Sequence, residues 1–370
     1  MILVLVALVK NTKTAMASLC IGLMSGTSLD GVDAVIVDKT ATQLLAQVYL
    51  PYPTSLKKQL QALTQGGKAN LKDLADIDAQ VAHFFADAVD ALLESTDNFL
   101  AADIKVIGSH GQTVFHQGGK YSMQIGHGAI IAERSGIAVV SDFRMNDIAA
   151  LGQGAPLTPM YHQHLLQGKE GVVINLGGIA NLTQVSKDSV IGFDTGPANT
   201  LLDNWIKKTK QLDYDRDGIW ARSGFIDERL LSDLLADEYF KKPVPKSTGP
   251  EYFNLNWLAS YLLGDERAID VQRTLVELTA MSISQQIAQG ADVYLCGGGV
   301  HNLFLAERLS YLNPNSEVST TNDLGMPVDY VEAAAFAFFA QQTLEGKTSS
   351  LPSVTGAKGP RILGGVYAAQ

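Results

Sequence analysis

Two stretches of this 370-residue chain follow one plan. "LCIGLMSGTSLDGVDAVIVD", Leu19 to Asp38, reads as a buried strand, a loop of small and hydroxyl residues, and a second apolar strand. "GVVINLGGIANLTQV", Gly171 to Val185, repeats strand, glycine turn and strand. A hairpin needs one or two turn residues, whereas Ser25 to Gly31 uses seven, three of them with hydroxyls. Such a loop is built to hold something. The duplication, with mixed strands and helices after each copy, predicts an α/β protein of two related lobes. Ligands of such folds sit where strand-end loops converge, here in the cleft between lobes. The chain is also too long for one ordinary core and long enough for two.

The rest of the pattern fills in this plan. Leu44 to Pro51 adds a strand, and Ser55 to Leu63 and Leu71 to Leu93 show helical spacing. Ile104 to Ser109 reads as a short buried strand ending in "GSHGQT"; Tyr121 to Ile125 and Ala138 to Ser141 follow, around a helical "HGAIIAERSG". After the second copy come Val190 to Phe193, the loop "DTGPAN", and helices over Ala198 to Lys208, Phe225 to Ala236 and Leu275 to Ala288. "ADVYLCGGGVHN" is a strand entering three glycines, and Asp329 to Leu344 is an Ala- and Phe-rich helix.

Charge narrows the partners. Twenty-eight basic and 38 acidic residues give a formal charge of -10. Nucleic-acid binding needs clustered Lys and Arg, and the densest run, Lys207, Lys208 and Lys210, reads as an exposed helix end. The two cysteines, Cys20 and Cys296, lie in apolar runs and read as small buried residues, which suits a reducing cytoplasm. The leading "MILVLVALVK" has nine apolar residues, too few to span a bilayer, and its charge follows the run instead of preceding it. Met16 stands three residues before the first strand, so residues 1–15 are expected to be an upstream extension. N-terminal sequencing tests this, and a mature end near Met1 refutes it.

Three glycine loops stand at strand ends. "SGTSLDG" lacks the Gly-Lys-Ser/Thr of a Walker loop, yet its backbone N–H groups and hydroxyls suit phosphate oxygens. In "GFDTGPAN", Pro197 suits the first turn of a helix, placing Asp194 at the end of a buried strand. A carboxylate there costs desolvation unless it is used or well hydrogen-bonded, so Asp194 is the leading candidate for a catalytic base or metal partner. "LCGGGVHN" permits close backbone approach to a flat ligand such as adenine and ribose.

Other motifs carry two readings each. "DYDRDG" opens like a calcium loop, but the twelfth position, which needs Glu, is Gly224, leaving a tight polar turn. His110, His116, His162 and His164 lack partners at metal-ligand spacing; His110 could meet a polar substrate instead. Arg144, between Asp142 and Asp147, reads equally as a salt-bridged structural residue or an anion binder. Glu332 is either a favourable charge in a helix's first turn or a buried acceptor for a ligand hydroxyl.

In this order, "GLMSGTSLDGVD", "GSHGQTVFH", "SDFR", "GQGAPLTP", "NLGGIANLT", "GFDTGPAN", "DRDG", "PKSTGPEYFN", "LCGGGVHN" and "VTGAKGPR" resemble the anhydro-N-acetylmuramic acid kinase family, over about Leu19 to Tyr367. The resemblance implies the actin-like ATPase (ribonuclease H-like) fold, shared with sugar kinases and heat-shock chaperones, with the active site in the interlobe cleft. It implies an N-terminal extension over 1–18, lobe I over 19–137 plus about 346–370, and lobe II over 138–345. It also implies that ATP and water convert a 1,6-anhydro sugar from cell-wall turnover into N-acetylmuramic acid 6-phosphate.

By the same resemblance, Asp194 is the base that activates water. Gly26, Thr27, Ser28, Leu29, Asp30, Gly31, Val32 and Asp33 form the ATP phosphate loop, with Gly177, Gly178, Gly297, Gly298 and Gly299 also at the nucleotide. Mg²⁺ comes with ATP, ordered by Asp30 or Asp33. His110, Arg144 and Glu332 are implied sugar contacts, and the lactyl carboxylate gives Arg144 an ionic partner. The expected partners are the sugar and ATP, with no nucleic acid and no membrane; a homodimer is left open. The alternatives are a conventional sugar kinase acting on a free hydroxyl and a non-catalytic ATP-binding sugar sensor. A DNA-reading regulator would need a basic face and a helix-turn-helix, and neither is visible.

Overall fold

The computed structural model describes residues 19–64 and 70–369, so the expected extension over 1–18 lies outside the described residues. The chain first lays down β1 (Leu19–Ser25), β2 (Gly31–Val37), β3 (Leu44–Pro51), β4 (Ile104–Gln117), β5 (Tyr121–Ile125) and β6 (Val139–Ser141). It then forms β7 (Gly171–Leu176), β8 (Ile179–Val185), β9 (Val190–Pro197), β10 (Val293–Cys296) and β11 (Val318–Thr320), and ends with β12 (Gly365–Tyr367).

The duplication read in the sequence is a duplication of topology. In the first sheet β3, β2 and β1 form an antiparallel meander, and β4 and then β6 join parallel to β1. In the second, β9, β8 and β7 form the same meander, and β10 and β11 join parallel to β7. β12 extends the first sheet beyond β6, and β5 pairs with β4.

Several expected bounds move. β4 does not stop at Ser109 but runs to Gln117. Gly111 takes φ +72, a left-handed geometry open to glycine, and the strand continues past it to pair with β5. His110 is therefore inside a strand rather than at a strand's end. Pro197 ends β9 instead of opening a helix; the helix Asn199–Lys210 starts two residues later. The helix expected from Leu275 spans Ala268–Ser284. The division at 138 and 345 also fails to follow the sheets: Val139–Ser141 is a strand of the first sheet, and the helix Val331–Leu344 packs on β1 and β4.

That helix lies unusually close to its sheet. Gly22 and Gly108 are register partners on β1 and β4. A Cβ added at Gly22 would meet the Ala333 carbonyl oxygen at 1.8 Å, and one at Gly108 would meet the Phe336 oxygen at 1.9 Å. Two side-by-side glycines thus form a groove that seats the helix backbone, and Glu332 in its first turn reaches the cleft.

Among the described residues, three apolar clusters form the core. One packs the helix Leu71–Glu94 on the outer face of the first sheet, and one packs the helices Asn199–Lys210 and Ala268–Ser284 on the second. The third lies between the sheets and joins Val35 and Val106 to Val173 and Val185 through Phe336, Phe338 and Phe339. Both cysteines are buried there; burial pushes the Cys20 thiol up to about 12 and the Cys296 thiol up as well.

Candidate active site

Three adjoining cavities occupy the space where the strand-end loops of the two sheets meet. The middle one, about 520 Å³, is walled by Gly26, Ser28, Asp30, Gly31 and Asp33 from the first sheet and by Asn175, Gly177, Gly297 and Gly298 from the second. On one side a cavity of about 700 Å³ contains Thr27, Arg144, Asn181, Asp194 and Lys246 to Thr248. Glu332 lines both of these. On the other side a cavity of about 480 Å³ is formed by Asn199, Asp203, Tyr214 to Asp217, Gly299 and Asn302, with Gly298 shared with the middle one.

The loop that opens the middle cavity is stitched from below. Ser25 Oγ lies 2.7 Å from Gln112 Oε1 and 2.8 Å from the Gly31 carbonyl, with one proton to share between them. Gln112 Nε2 donates to the Gly26 carbonyl at 3.2 Å. Ser25 is thus used in fixing the loop, while the Thr27 and Ser28 side chains are exposed at its tip. Leu29 and Val32 are buried in the first sheet's core, so only their backbone is offered to a ligand.

Asp30 and Asp33 separate in role. Asp30 pairs with Lys57 Nζ at 2.6 Å on an exposed edge. Asp33 points inward on β2, and its carboxyl is pushed up to about 7, first by burial and then by Glu332 and Asp329. Glu332 is itself raised by burial, which Arg144 opposes. Carboxyls crowded in this way favour a cation. Among the described residues no cluster of three or more His, Cys, Asp or Glu could hold a metal unaided. The donor set therefore fits a hard ion that brings its other oxygens with it, as Mg²⁺ on a nucleotide does.

Asp194 stands on β9 facing the 700 Å³ cavity. Asn181 Nδ2 donates to its Oδ1 at 2.9 Å, and the Thr248 N–H and Ser247 Oγ donate to its Oδ2 at 2.9 and 3.2 Å. Burial raises its pKa and these three donors pull it back. The segment leading into Ser247 and Thr248 is tied to the backbone of Asp194. The Asp194 N–H donates to the Lys246 carbonyl at 2.9 Å, and Tyr239 OH donates to the Asp194 carbonyl at 2.7 Å.

Arg144 is not salt-bridged to its sequence neighbours. Its Nη1 donates to the Gly154 carbonyl at 2.9 Å, and its Nε and Nη2 lie 3.2 and 3.0 Å from His110 Nε2. Asp147 instead accepts from the Gly154 N–H and from Thr355 Oγ1. Burial, then the Arg144 charge, holds His110 well below the usual histidine range, so its ring is neutral and Nε2 accepts. Burial lowers Arg144 to about 10, opposed by Glu332. Of the three expected sugar contacts, Arg144 and Glu332 line the cavity, while His110 is buried behind Arg144 and packs tilted against Phe336 with ring centroids 4.6 Å apart.

The remaining glycines also divide. Gly177 and Gly178 offer their carbonyls to the N–H groups of Ala198, Asn199 and Thr200, and so start the helix behind the site. Gly299 packs on Leu176. "DRDG" faces the smallest cavity, with Asp215 accepting from the Trp220 and Ala221 N–H groups. Sequence reasoning assigned no role to Asn175, Asn181, Ser247, Thr248 or Asp203. One signal was present: Asn175 and Asn181 are placed symmetrically about the turn at Gly178, so a tight hairpin must pair them.

A family profile described as "Anhydro-N-acetylmuramic acid kinase" matches residues 18–369. A protein of that name from Aliivibrio fischeri (strain ATCC 700601 / ES114) is 49% identical over 363 residues, covering 94% of this chain and 99% of that one. One from Coxiella burnetii (strain Dugway 5J108-111) is 46% identical over 360 residues, covering 94% and 96%. The solved (R)-2-hydroxyglutaryl-CoA dehydratase component A of Acidaminococcus fermentans superposes with a TM-score of 0.50 at 12% identity, covering 89% of this chain and all of that one; it shares the fold alone. That fold is the two-lobed actin-like ATPase fold. The chain belongs to the anhydro-N-acetylmuramic acid kinase family.

Proposed function

We propose that the protein is an ATP-dependent kinase that opens 1,6-anhydro-N-acetylmuramic acid with water and phosphorylates its 6-oxygen. The products are N-acetylmuramic acid 6-phosphate and ADP, a step of peptidoglycan recycling. What supports the residue roles is one observation: the half-buried, raised-pKa Asp194 faces a sugar-sized cavity that shares Glu332 with the phosphate-suited one. The sugar occupies the 700 Å³ cavity, the phosphates the middle cavity, and the nucleoside the cavity beside Asn302.

In this reading Asp194 takes a proton from water as the water oxygen bonds to the anomeric carbon. The bond from that carbon to the bridging oxygen breaks, and the freed 6-oxygen bonds to the γ-phosphorus as ADP leaves. General-base help of this kind is worth about 10²–10⁴-fold. Asp194 Oδ2 already accepts two hydrogen bonds and Oδ1 only one, so Oδ1 is the oxygen with a lone pair free for the proton. Arg144 binds the lactyl carboxylate, and the loop tip from Gly26 to Gly31 cradles the phosphates. Asp33 is the residue for Mg²⁺ on ATP, and Mg²⁺ when bound neutralises charge on the transferring phosphoryl group. Asp30, committed to Lys57, leaves that role. The enzyme works in the cytoplasm with its ATP, and among the described residues no helix is long and apolar enough to cross a membrane.

The test is turnover in ¹⁸O-labelled water with ADP release followed in parallel. Label at the anomeric hydroxyl is expected; ADP formation without label there would mean transfer to a free hydroxyl and would refute the proposal.

A further inference from the structure

Asn175, Asn181 and Asp194 form a row across three strands of the second sheet. Asn175 is the register partner of Asn181 between β7 and β8, and Asn181 is the partner of Asp194 between β8 and β9. Direct cross-strand partners project on one face of a sheet. Their side chains are in fact bonded in series. Asn175 Nδ2 donates to Asn181 Oδ1 at 3.3 Å, and Asn181 Nδ2 donates to Asp194 Oδ1 at 2.9 Å.

The series fixes the direction of the middle amide. If the Asn181 carboxamide flipped, its oxygen would face the carboxylate and its nitrogen would face the Asn175 donor, with both hydrogen bonds lost. Asn175 lies close against the "GGG" loop, where a Cβ on Gly297 would come within 2.2 Å of Asn175 Oδ1. The row also connects two walls. Asn175 lines the middle cavity and Asn181 the cavity of Asp194.

We propose that Asn181 is the positioning residue of the reaction, with Asn175 as the partner that orients it. This rests on the reading of Asp194 as the base. Asn181 holds Oδ1 at one angle and supplies the single donor to the oxygen that takes the proton. A donor to an ionised carboxylate stabilises the charged form, so its loss makes the carboxyl harder to ionise. The base then becomes protonated at higher pH, and the acid limb of the pH–rate profile moves up. The other titratable groups around the carboxylate are Arg144, Tyr239, Lys246, Glu251 and Glu332, with His116 at the cavity rim, and all are left in place.

The experiment compares kcat and KM across pH for wild type, Asn181→Leu, Asn175→Ala and Asp194→Asn. Asn181→Leu should lower kcat roughly tenfold or more, leave KM for ATP within about twofold, and move the acid limb up by roughly one pH unit. Asn175→Ala, which keeps the Asn181 donor but frees its orientation, should move the limb the same way by less. It carries the test should Asn181→Leu fail to fold. An acid limb at the wild-type position in folded variants, whatever their kcat, overturns the positioning role. Should Asp194→Asn retain turnover within tenfold of wild type, the base reading falls and this inference with it. Loss of turnover in Asp194→Asn beside unmoved limbs in the other two removes the inference alone.

Discussion

Gly108→Ala asks whether the close seating of the helix Val331–Leu344 is what the two glycines provide. The added Cβ would sit 1.9 Å from the Phe336 carbonyl oxygen, 2.5 Å from its carbon and 3.0 Å from the Ala340 Cβ. Real Cβ contacts do not fall below about 3.0 Å, so strand and helix must part by roughly an ångström or more. The obstacle is helix backbone, which has no rotamer to change. Overpacking of this kind costs about 1–3 kcal/mol, and a backbone clash belongs at the upper end. For a protein of this size ~3 kcal/mol lowers Tm by roughly 4 °C. Because Glu332 lies one turn before Phe336 on the same helix, the folded variant should also lose kcat/KM, by about tenfold or more. Gly365→Ala on β12 is the control: its Cβ meets nothing within 4 Å, and it should leave Tm unchanged or slightly raised. Melting curves and steady-state kinetics on the three proteins decide the matter. A Gly108→Ala protein with Tm within 1 °C of wild type (a threshold far below the expected shift) and full activity would refute the reasoning.

Three further outcomes follow from the site. Asp33 has its folded pKa raised from 3.8 to about 7, so the stability of its protonated form is fully present below pH ~4 and lost as pH rises through about 7. Asn at position 33 should therefore stabilise the nucleotide-free protein little at pH 4 and progressively more towards pH 8, as paired melting curves would register; a gain that shrinks with pH contradicts this. His110→Phe removes the acceptor that holds two N–H groups of Arg144, and should raise KM for the sugar several-fold while sparing KM for ATP. The rise should be smaller for 1,6-anhydro-N-acetylglucosamine, which lacks the lactyl carboxylate, and an equal rise for both sugars counts against the link through Arg144. Lys57→Ala breaks a surface ion pair of the kind worth at most ~1 kcal/mol, so ATP affinity measured by calorimetry should stay within about twofold.

The duplicated plan was legible because it rests on local signals: period-two apolar strands and glycine at their ends, in both "LCIGLMSGTSLDG" and "GVVINLGGIANLT". The need of Asp194 for partners was legible for the same reason, since a carboxylate in an apolar strand demands them, and although β9 runs on past it to Pro197 the structure supplies three. What escaped depends on tertiary contact. The polarity of "HGQT" reads as the end of a strand, yet His110 and Gln112 are buried in β4, which runs on past them. The start of the helix Ala268–Ser284 was hidden because its buried face carries Gln272, Arg273, Thr274 and Glu277. Arg273 and Arg308 both bond to Glu277, so an ionic knot stands where an apolar period would be sought. The row of Asn175, Asn181 and Asp194 crosses three strands and has no signature within any one of them.

The interleaving of the two sheets has a consequence for synthesis. The second sheet is complete within Gly171–Thr320. The first begins at Leu19 but still lacks the helix Val331–Leu344 and β12 when the second is finished. The half of the molecule that leaves the ribosome first is thus the last to close. Until Val331–Leu344 arrives, the groove over Gly22 and Gly108 is open and the apolar cluster around Val35 and Val106 lacks Phe336, Phe338 and Phe339. That interval, longer the slower the elongation, is when the nascent chain has most need of a holding chaperone.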